Sequence, residues 1–298
     1  MITSRTEPIN YKQVFEFLVN GIKKYITDNN ITNVILGMSG GIDSTVVAAL
    51  CKAADVAIMG VCMPCSTNKK DEISSSILAC QEFCCLYTDE NLQPIFETVE
   101  KYCHNISKYE STPISQGNIK ARLRMIALYD MASKYNGIVM DTDNLTEHFL
   151  GFWTIHGDEG DFNPIGGLWK HEVYGLARWM KNNVFKDSQA LDAAIALMPT
   201  DGNGVKEGGD LAQIAPNKTY NDVDEILQAW VGLNNKVKEL VIKNKLDFGI
   251  VKGLCEKHGV ETVERVIMRS VKSEFKRKHR PFIIDIFNGE ILEKSRNK

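Results

Sequence analysis

Asn33-Val34-Ile35-Leu36-Gly37-Met38 runs straight into Ser39-Gly40-Gly41-Ile42-Asp43-Ser44 and then into Thr45-Val46-Val47-Ala48-Ala49-Leu50-Cys51-Lys52. The first six residues form an apolar run of strand length, and the last eight have the composition of a buried helix. Between them the two glycines leave room only for a tight turn. Working outward, Val14, Leu18, Ile22 and Tyr25 recur at helical spacing upstream. Downstream, the pattern predicts a strand over 56–63, a helix over 71–84, a long helix over 116–135 and a strand over 137–141. Strands alternating with helices imply an α/β fold, a doubly wound and mostly parallel sheet with helices on both faces. The second half reads as helical, interrupted at 200–217 by a stretch rich in glycine with Asp201, Asp210 and Pro216. Such a stretch is expected to be a mobile loop, closing over whatever binds.

Composition narrows the classes further. The chain has 298 residues, 44% of them hydrophobic, with 35 Lys and Arg against 38 Asp and Glu and a formal net charge of −3. These proportions exclude collagen-like, low-complexity and disordered chains, and give no overall pull toward nucleic acid. No apolar run reaches the roughly 18 residues of a membrane span, and Met1–Pro8 lacks an apolar signal segment, so a cytoplasmic location is expected. Eight cysteines in a chain of this length read as free thiols in a reducing compartment rather than as a disulfide scaffold.

The turn has chemical content. Gly40 and Gly41 let backbone N–H groups approach an anion closely, and the following helix N-terminus adds unpaired donors and a favourable dipole. Ser39 and Ser44 can donate hydroxyls, and Asp43 can hold a Mg²⁺ that neutralises pyrophosphate. A glycine-rich turn with a capping serine would account for the two glycines alone, but it does not call for the whole S-G-G-x-D-S string. A second acidic group follows the later strand: Asp141-Thr142-Asp143-Asn144-Leu145-Thr146-Glu147. In a doubly wound sheet, ligands bind at that edge, and Asp143 and Glu147 are one helical turn apart.

The string Ser39–Ser44 resembles the pyrophosphate loop of the N-type ATP pyrophosphatases, and it is not a G-x-x-x-x-G-K-[ST] P-loop. Further blocks follow in order: Gln116-Gly117-Asn118-Ile119-Lys120-Ala121-Arg122-Leu123-Arg124-Met125, then 141–147, then Gly157-Asp158-Glu159-Gly160-Asp161-Phe162-Asn163-Pro164, then Gly167-Leu168-Trp169-Lys170. Together they resemble the ammonia-dependent NAD synthetases, from about Tyr11 to Pro281. The resemblance implies a Rossmann-like fold of the adenine nucleotide alpha-hydrolase type. It implies one synthetase domain over 1–298: an N-terminal helix at 1–31, a nucleotide-binding core at 32–199, the loop at 200–217, and a helical C-terminal part with a basic tail at 218–298. The implied reaction is ATP-dependent amidation of deamido-NAD (nicotinic acid adenine dinucleotide) by ammonia, through an acyl-adenylate, releasing AMP and pyrophosphate.

By matching positions, the resemblance implies that Gly37, Met38, Ser39, Gly40, Gly41, Ile42, Asp43 and Ser44 hold ATP phosphates, with Asp43 and Glu147 binding Mg²⁺. Thr142, Lys170 and Thr200 would contact ATP, and Arg122 the dinucleotide. Asp161 would stand near the reacting centre and help position or deprotonate ammonium. The basic run Lys272–Pro281 would meet substrate phosphates through Lys276, often from the partner in a homodimer. Taken alone, that run reads equally as a solvated charged face.

Three positions depart from the family pattern. Asp141 stands in place of a glycine, Ile155 in place of a dinucleotide-binding lysine, and Phe275 in place of a histidine before Lys276-Arg277. The segment between Asp158 and Pro164 is also one residue short. The last two substitutions touch the dinucleotide, so the same chemistry on nicotinic acid mononucleotide is the nearest alternative. Glutamine-dependent members carry a glutaminase domain for which this chain has no room, so ammonia is expected from solution or from another protein. Cys62-Met63-Pro64-Cys65 has the spacing of a redox pair and, with Cys80, Cys84 and Cys85, a weak likeness to a zinc site. It motivates a tRNA-thiolating enzyme as a further alternative, which the charge balance disfavours. A non-catalytic nucleotide sensor would bind ATP without releasing AMP.

Overall fold

The computed structural model describes residues 9–197, 209–277, 283–285 and 290–292. Asn10 caps the first helix, α1 (Tyr11–Asp28), by accepting from Gln13 N at 3.2 Å. Strand β1 (Asn33–Gly37) then enters the centre of the molecule, followed by α2 (Ile42–Ala53), β2 (Ile58–Cys62), α3 (Lys70–Phe83) and β3 (Leu86–Asp89). After α4 (Gln93–Ser107) comes α5 (Pro113–Lys134), which opens with Pro113 and a reciprocal Thr112–Ser115 cap and leads to β4 (Gly137–Val139).

The sheet has the order β3-β2-β1-β4 and every pairing is parallel, with Val34 facing both Ile58 and Ile138. Side chains alternate across it as a strand requires. Val34, Leu36, Ile58 and Ile138 enter a core shared with α1, α2, α3, α7 (Lys170–Asn183) and α8 (Gln189–Ala196). Ile35, Met59, Val61 and Val139 point the other way, into a core with Phe96 of α4 and Ala132 of α5. The doubly wound expectation therefore describes this sheet.

A third core belongs to a helical lobe. Here α6 (Leu145–Leu150), α9 (Gly209–Ile214), α10 (Tyr220–Gly232), α11 (Asn235–Lys243), α12 (Gly249–His258) and α13 (Val260–Lys272) surround Ile226, Leu227, Val263 and Ile267. A short α14 (Glu274–Arg277) follows, then the antiparallel strands β5 (Ile283–Asp285) and β6 (Glu290–Leu292). The expected loop at 200–217 needs correction. Its described part holds α9, because Leu211, Ile214 and Ala215 reach the apolar centre of the lobe. Among the described residues no helix is long and apolar enough to cross a membrane.

The strand order fixes where a ligand goes. From β1 the chain winds outward through β2 to β3, then returns to place β4 on the other side of β1. Connections therefore leave the carboxyl ends of β1 and β4 in opposite directions and open a crevice between Ser39–Asp43 and Thr142–Glu147.

Candidate functional site

Beneath the first wall of the crevice, α3 holds the turn. Ser75 Oγ donates to Gly40 O at 2.8 Å and Ser76 Oγ donates to Met38 O at 2.7 Å. Gly40 has φ +81°, and a Cβ there would overlap the Glu72 carbonyl oxygen and lie 2.7 Å from Ser76 N. Only glycine tolerates both conditions. Gly41 is the N-cap of α2 and offers no side-chain cap, so the first N–H groups of α2 remain available to an anion. Ser39 and Ser44 face each other at 3.1 Å between hydroxyls. Ser44 is buried and donates to Gly41 O at 3.2 Å, so it braces the turn from within, while Ser39, Gly41, Ile42 and Asp43 line the crevice.

Across the gap, Asn144 caps α6 reciprocally with Glu147 and also donates Nδ2 to Asp43 Oδ1 at 3.0 Å. Lys170, the first residue of α7, places its buried ammonium between the two carboxylates, on Asp43 Oδ2 and 2.9 Å from Glu147 Oε1. The structure thus brings Asp43, Glu147 and Lys170 together at one point of the crevice. Burial pushes the Glu147 carboxyl up to about 7, with Lys170 pulling it down and Asp43 pushing it further up. Burial lowers the Lys170 ammonium, yet Asp43 and Glu147 outweigh that and hold it well above its ordinary value. Two carboxylates and one ammonium leave the ionised cluster one negative charge in excess. The carboxylate oxygens are donors of the type a divalent cation takes, and its charge would offset that excess.

Behind this cluster, Asp141 accepts from Asp143 N at 2.8 Å. Burial raises its carboxyl to about 6, against hydrogen bonds from the Asp143 and Gly160 backbone. Asp143 is raised further, by burial first and then by Asp141 and Asp158. Thr142 lines both cavities of the crevice, one of about 230 Å³ and one of about 630 Å³. The smaller is a largely apolar slot between Met38, Val61, Met63, Leu128 and Met140, with Gly37 at its floor.

Asp161 is not brought to the cluster. Residues 160–162 run alongside β4 through a parallel bridge between Met140 and Phe162. This turns the Asp161 carboxylate onto Val139 N at 3.0 Å and Tyr129 Oη at 3.1 Å. Asp158 stands in both cavities instead, its carboxyl raised chiefly by burial and accepting from Thr154 N. The shortened 158–164 segment was the available signal. Arg124 was also missed: it lines the apolar slot and donates Nε and Nη2 to Met63 O, each at 3.3 Å.

The larger cavity is closed on its far side by basic residues. Lys276 Nζ donates to Gly151 O at 2.7 Å and to Trp153 O, and lies 5.2 Å above the Trp153 ring. Arg269 Nε donates to Leu150 O at 2.7 Å and Arg277 Nη1 to Phe149 O at 2.8 Å. Three cations thus sit on the carboxyl end of α6, where the helix dipole favours them. Lys276 lines the cavity of its own chain. Arg122 is exposed, lines neither cavity of the crevice and donates Nη2 to Ile155 O at 3.2 Å. Thr200 lies outside the described residues. Cys62 and Cys65 belong to cores on opposite faces of the sheet, which removes the redox-pair reading.

Known proteins resemble this chain over most of its length. The sequence profile of the NAD synthase family matches residues 14–280. The NH(3)-dependent NAD(+) synthetase of Wolinella succinogenes is 31% identical over 261 residues, covering 87% of this chain and 90% of the relative. The structure of the Campylobacter jejuni NH3-dependent NAD synthetase, in complex with the nitrate ion, superposes with a TM-score of 0.66 at 27% identity. That match covers 93% of this chain and all (100%) of the other. The NMN synthetase of Francisella tularensis shares the fold, with a TM-score of 0.68 at 22% identity over 91% of this chain and 97% of its own. The chain belongs to the NAD synthase family.

Proposed function

We propose that this protein is a C–N ligase that amidates nicotinic acid adenine dinucleotide to NAD, using ATP and ammonia. The observation that carries the reading is the convergence of Asp43, Glu147 and Lys170 at the uncapped N-terminus of α2. A carboxylate oxygen of the substrate attacks the α-phosphorus of ATP, and the bond to the β-phosphate bridging oxygen breaks to release pyrophosphate. Ammonia then adds to the carbonyl carbon of the acyl-adenylate, loses a proton, and AMP leaves with the bonding pair.

Each wall of the crevice has a part in this. The apolar slot beneath Met38 takes adenosine, with Thr142 at its mouth. Backbone donors at Gly40, Gly41 and the start of α2 receive the phosphates. Lys170 balances the negative charge that accumulates on the phosphoryl oxygens, in a site dry enough for that charge to matter. Asp43 and Glu147 would hold Mg²⁺, which when bound neutralises phosphate charge. Arg122 and Lys276 flank the dinucleotide, and Asp158 stands where an ammonium can be held beside the reacting carboxyl.

The assembly is a homodimer in this reading. Tyr102 and Ile106 on α4 and Ile114 and Ile126 on α5 are each about 59–67% exposed, an apolar surface that suits a second copy of the chain. A cytoplasmic location belongs to the same reading.

The test is pyrophosphate release by purified protein supplied with Mg-ATP, ammonium and the dinucleotide acid. No release would end the proposal. Nicotinic acid mononucleotide belongs in the same assay. Ile155 contributes no cation and Lys276 already spends two of its three donors on backbone carbonyls, which leaves fewer donors for a second phosphate. Faster turnover of the mononucleotide would reassign the substrate while keeping the chemistry.

A further inference from the structure

Asp224 of α10 is fully buried, yet it belongs to the helical lobe and lines neither cavity of the crevice. Its Oδ1 accepts from Thr146 Oγ1 at 2.5 Å. Its Oδ2 receives His171 N at 3.0 Å and lies 2.8 Å from His171 Nδ1. Thr146 Oγ1 in turn accepts from Lys170 N at 2.8 Å. The direction of this chain is determined: a backbone N–H can only donate, so the threonine hydroxyl spends its proton on the carboxylate.

The helix α7 needs such a partner. Its N-cap, Trp169, has no side-chain acceptor, and an uncapped buried first turn leaves N–H groups unsatisfied at a cost of about 1–3 kcal/mol each. Thr146 and Asp224 satisfy the first two, at Lys170 and His171. Thr146 also immediately precedes Glu147, so one carboxylate ties together the two backbones that carry the ammonium and its acidic partner.

We infer that Asp224 is a positioning residue for the proposed adenylation: through Thr146 and the start of α7 it sets where the Lys170 ammonium stands relative to Asp43 and Glu147. It touches no substrate. Its loss lets the first turn of α7 fray or rotate, and a displacement of about 1 Å at Lys170 is enough to cost roughly 100-fold in rate.

The inference rests on the reaction proposed above, and the experiment separates the two. Asp224→Asn, Thr146→Val, Thr146→Ser and the Asp224→Asn/Thr146→Val pair are assayed for pyrophosphate release, with kcat and the KM for ATP determined separately. Asp224→Asn and Thr146→Val are expected to lower kcat about 10- to 100-fold with KM changed less than about 3-fold. Thr146→Ser, which keeps the hydroxyl, should retain wild-type kcat. The double variant should lose little more than either single one, because both break the same chain. In parallel, amide hydrogen exchange at Lys170 and His171 is measured in the ligand-free protein, a readout independent of turnover. Faster exchange in both single variants supports the inference even if the wild type releases no pyrophosphate, an outcome that sinks only the reaction. Unchanged exchange, unchanged kcat in Thr146→Val, or additive losses in the double variant would overturn it. If Asp224→Asn does not fold, the comparison of Thr146→Val with Thr146→Ser decides.

Discussion

Replacing Gly40 by alanine tests how rigidly the phosphate-binding turn is built. At φ +81° the backbone lies in the left-handed region, which costs an L-residue about 1–2 kcal/mol. The new methyl must also displace α3, since it would overlap Glu72 O and approach Ser76 N to 2.7 Å. Neither neighbour is a flexible side-chain tip, so relief requires backbone movement of the kind that makes overpacking cost about 1–3 kcal/mol. The two together give a loss of about 2–5 kcal/mol. Gly41→Ala is the control. Its φ is −73°, and the added Cβ would meet only Ser39 Oγ, at 3.4 Å, so stability should stay within about 1 kcal/mol of wild type. Gly41 lines the crevice, however, and a methyl there should still depress turnover. Urea unfolding followed by circular dichroism gives the stabilities, and pyrophosphate release gives the activities. A Gly40→Ala protein that unfolds at the wild-type urea concentration would refute the argument.

Further outcomes are expected. Asp43→Asn and Glu147→Gln should each reduce turnover by orders of magnitude while circular dichroism remains native, and wild-type rates in either would remove the assignment of Mg²⁺ to these carboxylates. Asp141, whose carboxyl rises from 3.8 to about 6 on burial, holds its proton more tightly folded than unfolded. Stability from this group is therefore lost as pH climbs from about 4 to about 6, and Asp141→Asn should flatten that part of a plot of Tm against pH; an unchanged slope would exclude it. Lys276→Met should raise the KM for the pyridine nucleotide acid several-fold and leave the KM for ATP nearly constant, and equal effects on both would place Lys276 outside the substrate wall.

Much of the sheet was legible because its strands are buried on both faces. Val34–Leu36 and Ile58–Val61 form unbroken apolar runs ending in glycine or a turn, and α2 follows without a polar face to disguise it. Strand β3 escaped notice because Leu86–Asp89 is short, sits at the edge and is exposed at every residue. Helix α4 was missed although Phe96, Val99, Cys103 and Ile106 recur at helical spacing; of its residues only Phe96 is buried. At the site, Asp43 and Glu147 were readable because each lies in the first turn of a helix just past a strand, whereas Lys170 was reached only through the family resemblance. Asp161 was misplaced because a one-residue shortening is resolved only by knowing which residue bridges to Met140. Asp224 had no local signature at all. Its meaning lies in a helix start that precedes it by 53 positions in the chain.

The basic residues on the end of α6 carry a consequence for how the protein is made. Arg269 grips a carbonyl 119 positions before it, and Arg277 one 128 positions before. A ribosome delivers the turn, Asp43, Glu147 and Lys170 long before it delivers these fasteners. The carboxyl end of α6 therefore gains these particular partners only once translation has passed residue 277. A chain shortened by its last helical turns would leave the carbonyls at Phe149, Leu150 and Gly151 without these cationic partners.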